Sequence, residues 1–233
     1  MTTFELFYLQ IKQNRWYWLF SIFCRFVLAF AFIAAGMVKI VGERFASGLS
    51  ILHPMGAYLE ALHHTGYYYT FIGICQVVAA ILLLIPRTVL LGALLYFPII
   101  LNICLLSFAV RFEGSLITAP LMVLANLYLL AWNYDRLRYI LPYKKFTEFP
   151  VIEASRKYNS KFPMLFFIGV TTVVALIIVF ARFGFEVMPR NSMQDCKKQF
   201  ENTKMEGKGY EFCECIHIDG ASLQQCLRNF QTG

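Results

Sequence analysis

Apolar residues along this chain gather into five runs separated by polar segments: Trp16 to Ile40, Tyr68 to Ile85, Thr88 to Val110, Leu116 to Trp132 and Phe162 to Phe183. At 1.5 Å of rise per residue, about twenty residues cross the hydrocarbon layer of a bilayer, and each run approaches or exceeds that length. The runs are continuous and not short alternations, which predicts membrane-spanning helices rather than barrel strands. Between the first two runs, Pro54 and Gly56 break the loop from Val41 to Tyr67. There Met55, Tyr58, Leu59 and Leu62 recur at helical spacing, predicting a short helix lying on the membrane surface. After the last run, Cys196, Phe200 and Thr203 share one helical face, and Tyr210, Phe212 and Glu214 alternate with Cys213 and Cys215. Ser222 with Gln225 resembles a capping box opening a helix through Leu223, Cys226, Leu227 and Phe230, so the tail reads as a helical hairpin.

Composition agrees with the pattern. With 58% hydrophobic and 15% charged residues over 233 positions, the chain has too little polar surface to cover a soluble globule of its size. The net charge of +7 could suggest nucleic acid, but the positive residues sit beside the spans, where anionic lipid headgroups account for them. Lys12, Arg15, Arg87, Arg136, Arg138, Lys144, Lys145, Arg156, Lys157 and Lys161 fall on one side, and Lys39, Arg44 and Arg111 on the other. Basic residues near a span resist translocation, so this asymmetry puts the N-terminus in the cytoplasm and, after five crossings, the tail from Gly184 outside. Arg25 interrupts the first run, which continues to Ile40, so it reads as a retained span and not a cleaved signal.

Three cysteines, Cys24, Cys75 and Cys104, lie singly inside runs, where a thiol behaves as a small apolar group. The other four, Cys196, Cys213, Cys215 and Cys226, crowd into a tail too small to bury much of a core. In an exported segment they read as two disulfides, each worth about 2–4 kcal/mol. The strained ring of a Cys213 to Cys215 bond disfavours that connectivity. This leaves Cys196 to Cys213 with Cys215 to Cys226, or its crossed partners. A metal site including His217 and an exchange-active dithiol are the competing readings; the spacing and the oxidising compartment argue against both.

Polar groups inside the spans are costly and therefore informative. Arg25, Ala29, Phe32, Gly36 and Lys39 form one stripe, with Arg25 and Lys39 about 21 Å apart along it. Arg25 either snorkels to the cytoplasmic surface or points into the bundle toward an amide or a ligand. Gln76, Asn102 and Asn126 supply one amide in each of the next three spans, a pattern more often interhelical glue than a binding site. In the outer loops, His63 and His64 project about 100° apart on a helix and cannot readily share an ion. Tyr67, Tyr68, Tyr69 and Trp132 fit an interfacial aromatic belt, and Arg111 finds a partner in Glu113, Glu43 or Glu60.

Arg25 followed by an apolar helix and then Gly36-Met-Val-Lys39-Ile resembles the opening helix of the DoxX family. So does the second run, from Gly73 through Gln76 to Pro-Arg87-Thr88, with Gln76 standing where that family's glutamate is expected. The resemblance covers roughly Arg25 to Leu141. It implies an all-α integral membrane protein: an antiparallel four-helix bundle in residues 1–141, in a bacterial inner membrane. A basic cytoplasmic linker (142–161), a fifth span (162–183) and the stapled extracytoplasmic tail (184–233) follow. Relatives of this kind accompany membrane redox complexes, so the first expectation is an accessory or anchoring subunit with membrane lipids and membrane or periplasmic proteins as partners. The second is an oxidoreductase whose cofactor, a quinone, sits near Arg25, Gln76 and Asn102, with Lys39 on the same stripe. The third is a carrier for a small solute or lipid, suggested by Pro98 breaking the third span near Asn102. No inverted repeat supports it. The spans hold no haem-ligand pair of histidines, and the chain has no dinucleotide glycine fingerprint and no nucleophile elbow.

Overall fold

The computed structural model describes residues 3–140 and 158–232. Lys144, Lys145, Arg156 and Lys157 of the expected basic linker, and its boundary at Leu141, lie outside the described residues. Helices account for the regular structure of the rest, and four of them are long and apolar enough to cross a membrane: α2 (Arg15–Val41), α4 (Tyr67–Leu84), α5 (Val89–Ala109) and α8 (Met164–Phe183). The fourth predicted run forms a shorter helix, α6 (Thr118–Trp132), because residues from Phe112 onward are spent in a turn before it. Even so, α6 connects the two ends of the bundle. Ser115, just before it, shares a hydrogen bond with Ser107 near the end of α5, and the Trp132 carbonyl accepts one from Tyr8 near the chain's start.

A shared core holds α2, α4, α5 and α6 together. Cys24, Leu28, Ala29 and Phe32 meet Ala79, Ala80 and Leu83 of α4, Val89, Ala93, Tyr96 and Ile100 of α5, and Leu129 of α6. The Phe32 and Tyr96 rings stack with centroids 3.5 Å apart, and the Tyr96 hydroxyl donates to the Leu28 carbonyl. Asn126, fully buried, donates to the Ala93 carbonyl and so ties α6 to α5, the glue role expected of an interhelical amide. Pro98 does not break α5, which runs unbroken past it; losing one N–H donor is tolerable where the helix is held by neighbours on both sides. α8 lies along one side of the bundle: Phe166 meets Tyr17, Phe20 and Tyr128, and Phe180 meets Phe108. None of its residues is fully buried, and a lateral groove of about 360 Å³ runs between it and α5 and α6.

The two ends of the bundle are closed differently. At the amino end, α1 (Thr3–Lys12) packs on α7 (Tyr134–Leu137): the Tyr8 hydroxyl donates to Asp135, and Lys12 pairs with the same carboxylate at 3.4 Å while lying over the Trp132 ring. Burial lowers the Lys12 pKa, with Asp135 opposing, and it raises that of Tyr8. Asn14 caps α2 by accepting from the Trp16 N–H, and its amide donates to the Lys161 carbonyl, which brings the start of α8 alongside the start of α2. At the opposite, tail end lie α3 (Pro54–His63) and the short helices α9 (Met193–Lys198), α10 (Glu206–His217) and α11 (Leu223–Thr232). The apolar face of α3 is not spread on a surface as predicted. Met55 and Leu59 are buried with Leu49 against Leu106, Val110 and Phe112.

Candidate functional site

Two of the polar side chains proposed from the sequence, Lys39 and Gln76, are placed by one contact, the crossing of α2 and α4. A β-carbon added to Gly36 would lie 2.8 Å from the Gly73 carbonyl oxygen, and one added to Gly73 would lie 2.7 Å from that of Gly36. Only glycine at both positions lets the two backbones touch. Lys39 lies beside Gly73, and Gln76 beside Gly36. These two side chains therefore flank the crossing, one on either side of the glycine contact.

Arg25 is elsewhere. Its Nε and Nη2 donate to the carbonyls of Leu83 and Leu84 at 2.7 and 2.6 Å, the last turn of α4. The helix ends there because Pro86 follows, and its final carbonyls would otherwise lack donors. A cation at a helix C-terminus is also favoured by the helix dipole. Leu83 is seven residues beyond Gln76, about 10 Å of helix, so Arg25 and Gln76 do not share a site. Asn102 is exposed on α5. Of the four residues expected near a ligand, Lys39 and Gln76 flank one helix crossing, and Arg25 and Asn102 lie elsewhere.

Lys39 is 6% exposed. Its ammonium donates to the Ala35 carbonyl at 2.9 Å and lies 4.5 Å from the centre of the Phe45 ring and 5.9 Å from that of Tyr69. Gln76 is 1% exposed, and its Oε1 accepts no hydrogen bond. Tyr69 was expected in the aromatic belt; it is buried instead, donating to the Glu43 carbonyl and accepting from the Phe45 N–H. A polar hydroxyl on a mostly apolar run was the available clue, since a buried phenol needs partners. The loop it fastens is fixed further by Arg44, which reaches the Ser47 and Leu49 carbonyls and the Glu60 carboxylate.

The tail forms the other candidate. Cys196 is bonded to Cys213 and Cys215 to Cys226, the uncrossed pairing left open by the sequence. Residues two apart on a helix face about 200° apart, so Cys213 reaches α9 while Cys215 reaches α11. The tail is thus three helices tied from the middle one, not a hairpin, around Phe200, Phe212, Ile216 and Leu223. Ser222 accepts from the Gln225 N–H as the capping pattern predicted.

This small domain is docked on the bundle. Arg111 does not pair with Glu113, Glu43 or Glu60; its guanidinium donates to the Val187 carbonyl at 2.6 Å and lies over Phe185. Glu113 pairs with Arg190 at 2.9 Å, and Glu60 with Arg44. Arg111 and Arg190 both hold left-handed backbone (φ 50° and 53°), each at a cost of about 1 kcal/mol that the docking contacts sustain. Between them, fully buried His53 meets His217 of α10 with ring centroids 5.9 Å apart. His53 Nδ1 accepts from the Met55 N–H, capping α3, and its Nε2 has no hydrogen-bond partner. Burial, and then the neighbouring His217, lower its pKa to about 4. His64, next to His63, is exposed and pairs with Glu60 at 3.3 Å. Among the described residues no cluster of three or more His, Cys, Asp or Glu could hold a metal ion.

Neither site carries a nucleophile aligned with a base. Comparison with known proteins gives the chain its kinship. No family model and no solved structure matches it. A relative in Bacillus subtilis (strain 168), the uncharacterized protein YwoB, is 35% identical over 105 residues, an alignment covering 43% of this chain and 68% of that protein. With that identity over two thirds of the relative's length, the chain belongs to the family of YwoB.

Proposed function

We propose that the protein is a DoxX-like accessory subunit that anchors a membrane redox or envelope assembly in a bacterial inner membrane, with its N-terminus in the cytoplasm and its stapled tail outside. The observation that carries this reading is α8. The helices α2, α4, α5 and α6 already complete a core, yet the chain adds a 20-residue apolar helix that packs on them along one side and leaves none of its residues fully buried. In lipid an apolar surface alone demands no partner, since lipid tails cover it as well as leucine does. What favours a protein partner is the pairing of that helix's exposed outer face with a docked domain at its far end: Arg111, Glu113, Arg190 and His217 hold the tail against the bundle. A subunit that presents a helix in the membrane and a disulfide-tied domain beside it has two surfaces for one complex.

The test is gentle solubilisation of native membranes followed by photocross-linking from a probe at Leu165 or Leu176, both exposed on α8. A covalent adduct with a distinct membrane protein that survives denaturation is the expected result. Recovery of the chain solely as a lone species, with no adduct from either position, defeats the reading.

A quinone-dependent oxidoreductase is the second reading, favoured by the open acceptor on Gln76. Its other residues are placed less favourably: Arg25 is engaged by the end of α4, and Asn102 is exposed.

A further inference from the structure

Two of the three amides in the apolar runs are housed inside the bundle: Gln76 beside the α2–α4 crossing and Asn126 on the Ala93 carbonyl. Asn102 is not. It is exposed on α5 and, among the described residues, makes no hydrogen bond. Hydroxyls elsewhere on the long apolar helices turn back onto their own backbone: Ser107 donates to the Ile103 carbonyl, and Thr171 and Thr172 to those of Phe167 and Ile168. Asn102 does not do even that.

Its depth makes this costly. α5 has 21 residues, about 31 Å of rise, which matches the hydrocarbon thickness of a bilayer. Asn102 stands seven residues short of the helix end at Ala109, hence about 10 Å inside that layer. A lysine or arginine at such a depth extends along its own stem to reach water; an asparagine has one methylene and cannot. Against lipid tails its N–H groups and its oxygen would have nothing to bond.

The surface around it is apolar and uncovered. Leu91, Pro98, Asn102, Leu105 and Ala109 are all exposed and follow one another at spacings of seven, four, three and four, a single face of α5. The neighbouring helices meet other sides of α5. Gly92 packs on Leu82 and Leu83 of α4, while Cys104 and Phe108 line the groove toward α8. Within this face Pro98 has no N–H to give the Leu94 carbonyl, a second reason for the face to be shielded from lipid by protein.

Whatever covers Asn102 must offer a donor and an acceptor at its depth. A carboxamide is both at once, so it is its own complement. A second copy of the chain, inserted in the same orientation, carries that amide at the same depth without further requirement. About a two-fold axis along the membrane normal, each Asn102 N–H donates to the other's Oδ1, and the leucines of one stripe lie against those of the other. A different protein would need a polar group matched to this level independently.

We propose that the outer face of α5, centred on Asn102, is the interface through which two copies of this chain pair in the membrane. The pairing is independent of the anchoring role assigned to α8, and either can fail alone.

The test uses the purified full chain in phosphatidylcholine liposomes. A photocross-linker at Leu105 gives an adduct of twice the chain's mass, and one at Phe30, exposed on α2, gives none. Energy transfer between separately labelled copies, followed as added lipid dilutes the protein, then reports the equilibrium. Asn102→Leu keeps the chain folded, read as an unchanged circular dichroism spectrum, and shifts the half-dissociation point by roughly 3- to 30-fold toward higher protein density. Asn102→Gln retains the amide and stays closer to the wild type. Absence of the doubled mass from Leu105, or the same half-dissociation point in Asn102→Leu as in the wild type, overturns the proposal. So does a Leu105 adduct in native membranes that holds a different protein in place of a second copy.

Discussion

Arg25 and Lys39 lie on one stripe of one helix and have opposite fates, decided by what each meets. Arg25 meets the bare carbonyls of a helix that proline has ended, and a planar fork with several donors suits two of them at once. Lys39 meets a glycine and a ring. The sequence supplied both cations and their spacing but could not distinguish them, because the acceptors belong to α4, and the alignment of two helices is not written in either. Replacing Arg25 with Met should lower stability by about 2 kcal/mol, the loss of two charge-assisted hydrogen bonds to carbonyls left in apolar surroundings. Arg25→Lys should recover less than half of that, since one ammonium cannot span both oxygens. Thermal unfolding in detergent measures both; an unchanged melting temperature in Arg25→Met would show that the carbonyls find other donors.

At the scale of elements, the decisive contact is the α2–α4 crossing. Gly36 and Gly73 were visible in the sequence, Gly36 as part of the stripe and Gly73 at the head of the second motif. That they would touch was not, for a small residue signals a close approach only once the partner is known. Gly36→Leu would place carbon within 2.8 Å of both the Gly73 carbonyl and the Val77 side chain, which are part of a packed core and cannot retreat. The expected result is loss of the folded bundle, by roughly 3 kcal/mol or more, read as aggregation or protease sensitivity after extraction. Gly169→Leu in α8 is the control, because nothing lies within 4 Å of a β-carbon there, and it should leave the bundle intact. In the tail, residues two apart on α10 face opposite ways, so Cys213 and Cys215 reach different helices, and the sides on which α9 and α11 pack decide for the uncrossed disulfides.

For the whole molecule, the docking of the tail is the feature with a measurable pH dependence. His53 has its pKa lowered to about 4 by burial and by His217, against an ordinary value near 6.5. The released or unfolded form therefore binds a proton that the docked form refuses. Docking is at full strength above about pH 6.5, weakens as pH falls toward 4, and changes no further from this group below that. The other contacts at the junction are Arg190 with Glu113 and Arg111 on the Val187 carbonyl. The loss amounts to about 3 kcal/mol at most. Hydrogen exchange of residues 185–190 should accelerate over that range, and His53→Asn, which keeps an acceptor to cap α3, should flatten the profile. A profile identical in the variant would assign the pH dependence elsewhere.

The apolar runs were legible without coordinates, as were the helical character of the tail and the cysteines that staple it. Each depends on periodicity and composition within one stretch of chain, which local physics reads directly. The shortening of α6 and the continuity of α5 through Pro98 were not legible, since the first depends on a turn held by Ser107 and Ser115 and the second on neighbours that support the helix. Nor was the meeting of His53 with His217, residues 164 positions apart in the chain. By itself the sequence determined that this is a helical membrane-type chain with a covalently closed tail, because hydrophobic length and cysteine placement are properties of single segments. Which charges are satisfied, which amide is left open and where the tail rests were decided only by the tertiary structure, because each is a relation between segments, and burial assigns a cost to a polar group only after its neighbours are in place.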